Sequence, residues 1–203
     1  MGNNRESEAQ SQRMASFRAC NEILGLIFLV CCLFPLMNHA SSRLLLVDED
    51  LVSSTCKKTL YFQLCVSSLR SDPQSQTSDL RGLATIALNL SIANGVNTLS
   101  YISALKSEAS YNNGSQLQSI LGCLSDCIDV YSDAIQNLQD SVPALNDKSY
   151  YSLQSLVSAA MTDSETCEDG FKEIKGSSSP LTEQNQYFSR LCSNFLAITT
   201  LLY

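Results

Sequence analysis

The chain has 203 residues, 44% of them hydrophobic and 16% charged, with a net charge of −7 and a single histidine. This length buries one sizeable core and points to one folded domain. The acidic balance argues against nucleic acid and anionic membrane surfaces as partners and permits a basic protein partner.

Arg13 and Arg18 precede an apolar run from Ile23 to Met37, and the small residues Ala40, Ser41 and Ser42 follow. That order is the order of a secretory signal peptide, so residues 1–40 read as a signal peptide and 41–203 as the folded domain, with the mature start near Ser41 to Leu44. The run is shorter than the roughly 18 to 20 apolar residues that span a bilayer. An uncleaved signal anchor is the alternative, and Met14 would give a more compact leader than Met1. Processing removes His39, which excludes a Ser-His-Asp or Cys-His nucleophile and a histidine-containing zinc site from the mature chain. From Arg43 onward there are 10 basic and 17 acidic side chains, so the charge of −7 survives.

Six cysteines then remain: Cys56, Cys65, Cys123, Cys127, Cys167 and Cys192. On an oxidising route disulfides are their default state. On one continuous helix Cys56 and Cys65 would lie about 13 Å apart on opposite faces, so a bond between them requires the chain to reverse near Leu60 to Gln63, making a hairpin of two short helices. Ser71-Asp72-Pro73 ends that segment, because proline disfavours helical geometry in the residue before it.

Thr77 or Ser78 would cap a long helix from Asp79 to about Glu108, with Leu80, Ala84, Ala87, Leu88, Ile92, Val96, Leu99 and Ile102 on its apolar face. Gly95 weakens that helix. Tyr111-Asn112-Asn113-Gly114 reads as a turn. Leu117, Leu121, Leu124, Ile128, Tyr131, Ile135 and Leu138 then follow a 4-3 spacing, and Val142 and Leu145 continue it past Pro143. The partner for this seam follows the turn Asn146 to Ser149: Leu153, Val157, Ala160, Ser164, Cys167, Phe171 and Ile174 have the same spacing. Gly176 closes that helix. A last helix from Thr182 presents Phe188, Leu191, Cys192, Phe195, Ile198 and Leu202. The fold class is all-α, an up-down-up-down four-helix bundle preceded by a helical hairpin.

Cys123 and Cys127 are four apart on one helix, where Cβ atoms sit about 5 to 6 Å apart, too far for a bond between them. Cys127 and Cys167 lie at or beside the seams of facing helices, so a bridge joining those helices is the sensible pairing. Cys123 and Cys192 then read as small buried hydrophobes, with a third bridge as the alternative. Asn89-Leu90-Ser91 and Asn113-Gly114-Ser115 are glycosylation sequons; Asn113 sits in the expected turn and Asn89 in mid-helix. Glu165, Glu168, Asp169 and Glu173 cluster on one helix, and without histidine or a second acidic run they read as a solvated face rather than a metal or catalytic centre. No cofactor motif is present.

Several runs together carry a resemblance: Thr55-Cys56-Lys57-Lys58 with Cys65 nine positions on, Asp126-Cys127 with Tyr131 and Asp133-Ala134, SAAMTDSETCEDGF from Ser158 to Phe171, Ser179-Pro180-Leu181-Thr182, and LAITTLL near the end. The chain resembles the plant invertase and pectin methylesterase inhibitors, most closely the plane-tree pollen branch. The resemblance implies a four-helix bundle with an N-terminal hairpin and two disulfides, first cysteine with second and third with fourth, here Cys56 with Cys65 and Cys127 with Cys167. It implies a secreted inhibitor and not an enzyme. Such a protein forms a one-to-one complex over the active site of a pectin methylesterase or an acid invertase, in the cell wall or the vacuole, with no membrane partner after cleavage. Some invertase inhibitors of the family carry Pro-Lys-Phe in the turn entering the third long helix; this chain has Asp147-Lys148-Ser149-Tyr150-Tyr151 there, with a lysine and aromatics but no proline. The two targets stay open, and Lys148, Tyr150 and Tyr151 are the candidate contacts. Two rival classes are a non-inhibitory pollen or seed storage protein and the pro-region of a pectin methylesterase, which needs a catalytic domain beyond Tyr203. A lipid-transfer protein would show adjacent Cys-Cys and Cys-x-Cys elements, which the mature chain lacks.

Overall fold

A computed structural model describes residues 50–110, 115–174, 176 and 178–203. The expected signal peptide and the turn holding Asn113 lie outside the described residues. Helix α1 (Leu51–Cys56) opens on Asp50, whose carboxylate accepts the backbone N–H of Ser53 at 3.0 Å. The chain reverses over the next five residues into α2 (Phe62–Arg70). Cys56 and Cys65 are bonded across the reversal, their Cα atoms 5.5 Å apart. Arg70 at the end of α2 donates back to Asp50 at 2.7 Å and closes the open side of the hairpin. Asn194, on the last helix, accepts from the Tyr61 N–H at 3.3 Å and donates to the Tyr61 carbonyl at 3.2 Å, which fastens the hairpin tip to the bundle.

A short 3-10 turn (Pro73–Gln76) leads into α3 (Leu80–Ala109). The cap of α3 is Asp79, neither Thr77 nor Ser78. Asp79 is extended and its carboxylate accepts the Gly82 N–H at 2.8 Å, whereas both hydroxyls point backward to the Gln74 carbonyl and finish the preceding turn. Helices α4 (Ser115–Asn146), α5 (Tyr150–Lys172) and α6 (Thr182–Thr199) follow, with a terminal 3-10 turn (Thr200–Leu202). Each long helix packs on its neighbour in sequence and α3 also packs on α6, which closes the bundle. The most extensive interface joins α4 and α5, and the Cys127–Cys167 disulfide crosses it with Cα atoms 4.7 Å apart.

The core follows the expected seams with three informative departures. On α5, Leu153, Val157, Ala160, Ser164, Cys167 and Phe171 are all buried. On α3 the buried register runs through Ala84, Leu88, Ser91, Gly95, Thr98 and Ile102, leaving Val96 44% exposed. Small residues carry this stripe because the neighbours come close: a Cβ on Gly95 would sit 3.1 Å from both Ile135 and Phe188. On α4, Val142 is 38% exposed and Ser141 takes the buried position, its hydroxyl donating to the Asn137 carbonyl. Gly176 does not close α5; the helix stops at Lys172, and Gly176 takes its positive φ in the loop beyond. Cys123 and Cys192 are not bridged. Cys123 lies against the Gly170 carbonyl of α5. Cys192 is in the core, where burial pushes its thiol up to about 12.

Candidate functional site

The α4–α5 turn is built by backbone chemistry before any side chain is considered. Ser149 N–H donates to the Ala144 carbonyl at 2.8 Å and Lys148 N–H to the Leu145 carbonyl at 3.3 Å. These are the two bonds of a Schellman ending, whose residue after the cap must be left-handed. Here that residue is Lys148, at φ 56, where glycine is the usual occupant. A side chain is therefore kept, at a conformational cost, at an exposed position of the turn.

Arg81 and Tyr150 fix the turn to the rest of this end of the bundle. From the first turn of α3, Arg81 donates to the Leu145 carbonyl at 2.8 Å and to the Tyr150 hydroxyl at 3.2 Å. The Tyr150 ring packs on that of Tyr203, centroids 4.9 Å apart. Tyr203 thereby becomes part of the same surface.

The three residues singled out from the sequence thus have different placements. Lys148 is exposed and held in a left-handed conformation. Tyr150 is half-buried, its hydroxyl and ring engaged by Arg81 and Tyr203. Tyr151 is 85% exposed, the most exposed large hydrophobic side chain described. Tyr203 is 72% exposed and had not been singled out. Exposed aromatic surface beside a lysine is the composition of a protein-contact surface.

A second arrangement lies about 25 Å away along α5, from the helical rise. Of the acidic cluster, Glu165, Asp169 and Glu173 are exposed as a solvated face would be, and Asp169 pairs with Lys172 at 2.7 Å. Glu168 departs from that reading. It is half-buried and accepts from Thr182 at 2.6 Å and from the Asn185 amide at 2.8 Å. Asn185 in turn accepts from the Tyr131 hydroxyl at 2.8 Å. Burial pushes the Glu168 carboxyl up, but the hydrogen bonds from Thr182, Asn185 and Ser179 and the Lys172 charge outweigh it, holding the group below its ordinary range. Burial raises the Tyr131 hydroxyl well above its usual value and keeps it a donor. This network joins α4, α5 and α6. Two signals could have revealed it: a tyrosine on an apolar seam needs a hydroxyl partner, and Asn185 falls on the buried 3-4 stripe of the last helix with Phe188 and Cys192. Among the described residues no group of three His, Cys, Asp or Glu could hold a metal ion, and no helix is long and apolar enough to cross a membrane.

The bundle, its hairpin and its two disulfides define a class of small, disulfide-tied helical proteins. The family model described as plant invertase/pectin methylesterase inhibitor matches residues 50–198. The chain belongs to that family. It is 38% identical over 164 residues to a Platanus orientalis protein named "Putative invertase inhibitor", covering 77% of this chain and 92% of that one. It is 30% identical over 189 residues to an Actinidia deliciosa pectinesterase inhibitor, covering 92% of this chain and 97% of that one. A crystal structure of a mutant form of a pectin methylesterase inhibitor from Arabidopsis shares the fold at TM-score 0.59 and 23% identity, covering 74% of this chain and 95% of that one.

Proposed function

We propose that the protein is secreted after loss of residues 1–40 and inhibits a plant pectin methylesterase or an acid invertase by covering its active site in a one-to-one complex. It performs no catalysis of its own and needs no cofactor. The site of action is the cell wall, with the vacuole as the second compartment. The observation that carries this reading is the α4–α5 turn: a lysine kept at φ 56 beside an 85% exposed tyrosine, on a turn braced by Arg81 and Tyr150. A surface already fixed in shape loses little conformational freedom when it docks, so its contacts count toward affinity. The names borne by the relatives support both targets, and the replacement of Pro-Lys-Phe by Asp147-Lys148-Ser149 leaves the choice to experiment. Asn89, exposed on α3, and Asn113 are the glycosylation sites in this reading.

The test is parallel titration of the purified, oxidised protein against one acid invertase and one pectin methylesterase. Loss of activity near a one-to-one ratio in one assay identifies the target. Full activity in both at micromolar inhibitor sinks the reading and favours a storage role for the same fold.

A further inference from the structure

On a different face, α2, α3 and α6 enclose a groove of 400 Å³, within the size range of small-ligand sites. Its polar lining is Ser67 and Ser68 from α2, Ser71 at the cap that ends it, Asn94 and Asn97 from α3, and Tyr187 from α6. Leu90, Ala93 and Leu191 complete it, so no lining side chain is charged. In a chain of net charge −7, an uncharged polar groove is selective chemistry: it offers nothing to neutralise a carboxylate, a phosphate or a metal ion.

Ser67, Ser68 and Ser71 spend their protons on the Leu64, Cys65 and Ser68 carbonyls of their own helix, leaving oxygen lone pairs free. Asn94 Oδ1 is buried without a partner among the described residues. Being closed to solvent, that oxygen is not offered to a ligand. The three serine oxygens ask for hydroxyl donors, and the groove can return amide N–H groups from Asn94 and Asn97. It also includes Tyr187, 44% exposed, whose ring can pack on an apolar surface. A sugar ring has this combination of donating and accepting hydroxyls around a C–H face.

We infer that this groove binds a neutral mono- or disaccharide, with Asn94 and Tyr187 as its main contacts. The inference is independent of the inhibitory reading. Two sources supply the ligand: a free saccharide, or the chain's own glycan at Asn89, which is exposed and adjoins Leu90 of the lining.

The experiment is amide-detected NMR titration of the purified, oxidised protein, made without glycans, with cellobiose and separately with galacturonate. Cellobiose shifts the Asn94 and Asn97 side-chain amides and the Tyr187 ring saturably, with a Kd on the order of millimolar. Asn94→Ala weakens it roughly three- to tenfold, and Tyr187→Ala weakens it while leaving the thermal midpoint unchanged, which separates binding from folding. Galacturonate gives no saturable shift. In protein glycosylated at Asn89, weaker cellobiose binding that Asn89→Gln restores identifies the chain's own glycan as the occupant, and unchanged binding identifies a free saccharide. Absence of saturation by cellobiose at about 50 mM, well above a millimolar Kd, equal binding of galacturonate, or full affinity in Asn94→Ala overturns the inference.

Discussion

Replacing Lys148 by glycine should make the protein more stable and, if Lys148 contacts the target, a worse inhibitor. Lys148 has φ 56 in a Schellman ending whose two backbone bonds, Ser149 N–H to Ala144 and Lys148 N–H to Leu145, hold it there. A residue with a Cβ pays about 1 to 2 kcal/mol for that conformation, and glycine does not. Glycine also enlarges the freedom of the unfolded chain, which takes back part of the gain. The net effect is about 1 kcal/mol, or roughly 2 to 4 °C in thermal midpoint for a domain of this size.

Lys148→Ala is the necessary control. It removes the ammonium and keeps the Cβ, so it leaves the midpoint near that of the parent protein. If the side chain is retained for target contact, both variants inhibit more weakly, by at least about fivefold, while only the glycine variant melts higher. Differential scanning calorimetry and an inhibition titration read the two effects separately. A glycine variant that melts no higher refutes the strain argument, and one that melts higher yet inhibits as tightly as before refutes the functional reason for keeping lysine there.

Three further outcomes are expected. Tyr151→Ala leaves the thermal midpoint within about 1 °C, as for an exposed site, and weakens inhibition about 30-fold if Tyr151 is an interface anchor; unchanged inhibition removes it from the interface. Glu168 has a folded pKa below its unfolded one, so its contribution is present above the unfolded value near 4.5 and is lost as pH falls through the folded value. Glu168→Gln therefore flattens the acid limb of a midpoint-versus-pH curve below about pH 4.5, and an unaltered acid limb contradicts the assignment. A non-reducing digest yields one linked peptide pair holding Cys127 and Cys167; a pair linking Cys123 to Cys167 would show the pairing to be wrong.

The architecture was legible because helical seams repeat, and a 4-3 spacing kept over several turns has one structural meaning. The buried face of α5 was read correctly at Leu153, Val157, Ala160, Ser164, Cys167 and Phe171. On α3 the same method drifted onto Val96, because the true stripe passes through Ser91, Gly95 and Thr98, where closeness of approach rather than hydrophobicity selects the residue. Glu168 was misread for a related reason. Its neighbours Glu165 and Asp169 are solvated, and nothing local distinguishes it; its partners Thr182 and Asn185 are 14 and 17 residues away. The turn was located by sequence, but its strain and its bracing by Arg81, 64 residues from Leu145, were not.

Those distant partners decide what keeps the α4–α5 turn in shape. It is tempting to credit the Cys127–Cys167 bridge, which stabilises the fold by about 4 kcal/mol in the chain-entropy model. Yet Cys127 lies 19 residues before Asn146, the end of its helix, or about 28 Å along the axis, so a bridge there restrains the middle of the α4–α5 pair and not its tip. The tip is held by Arg81, whose loss leaves the Leu145 carbonyl and the Tyr150 hydroxyl short of a donor. Arg81→Met should therefore weaken inhibition at a modest cost of about 1 to 3 kcal/mol. The Cys127→Ser/Cys167→Ser double variant should lose more stability and still inhibit in full wherever it remains folded. Sites this far apart should add in stability to within about 0.5 kcal/mol. Weaker inhibition by the folded cysteine variant, with full inhibition by Arg81→Met, would reverse the assignment and make the bridge the element that shapes the contact surface.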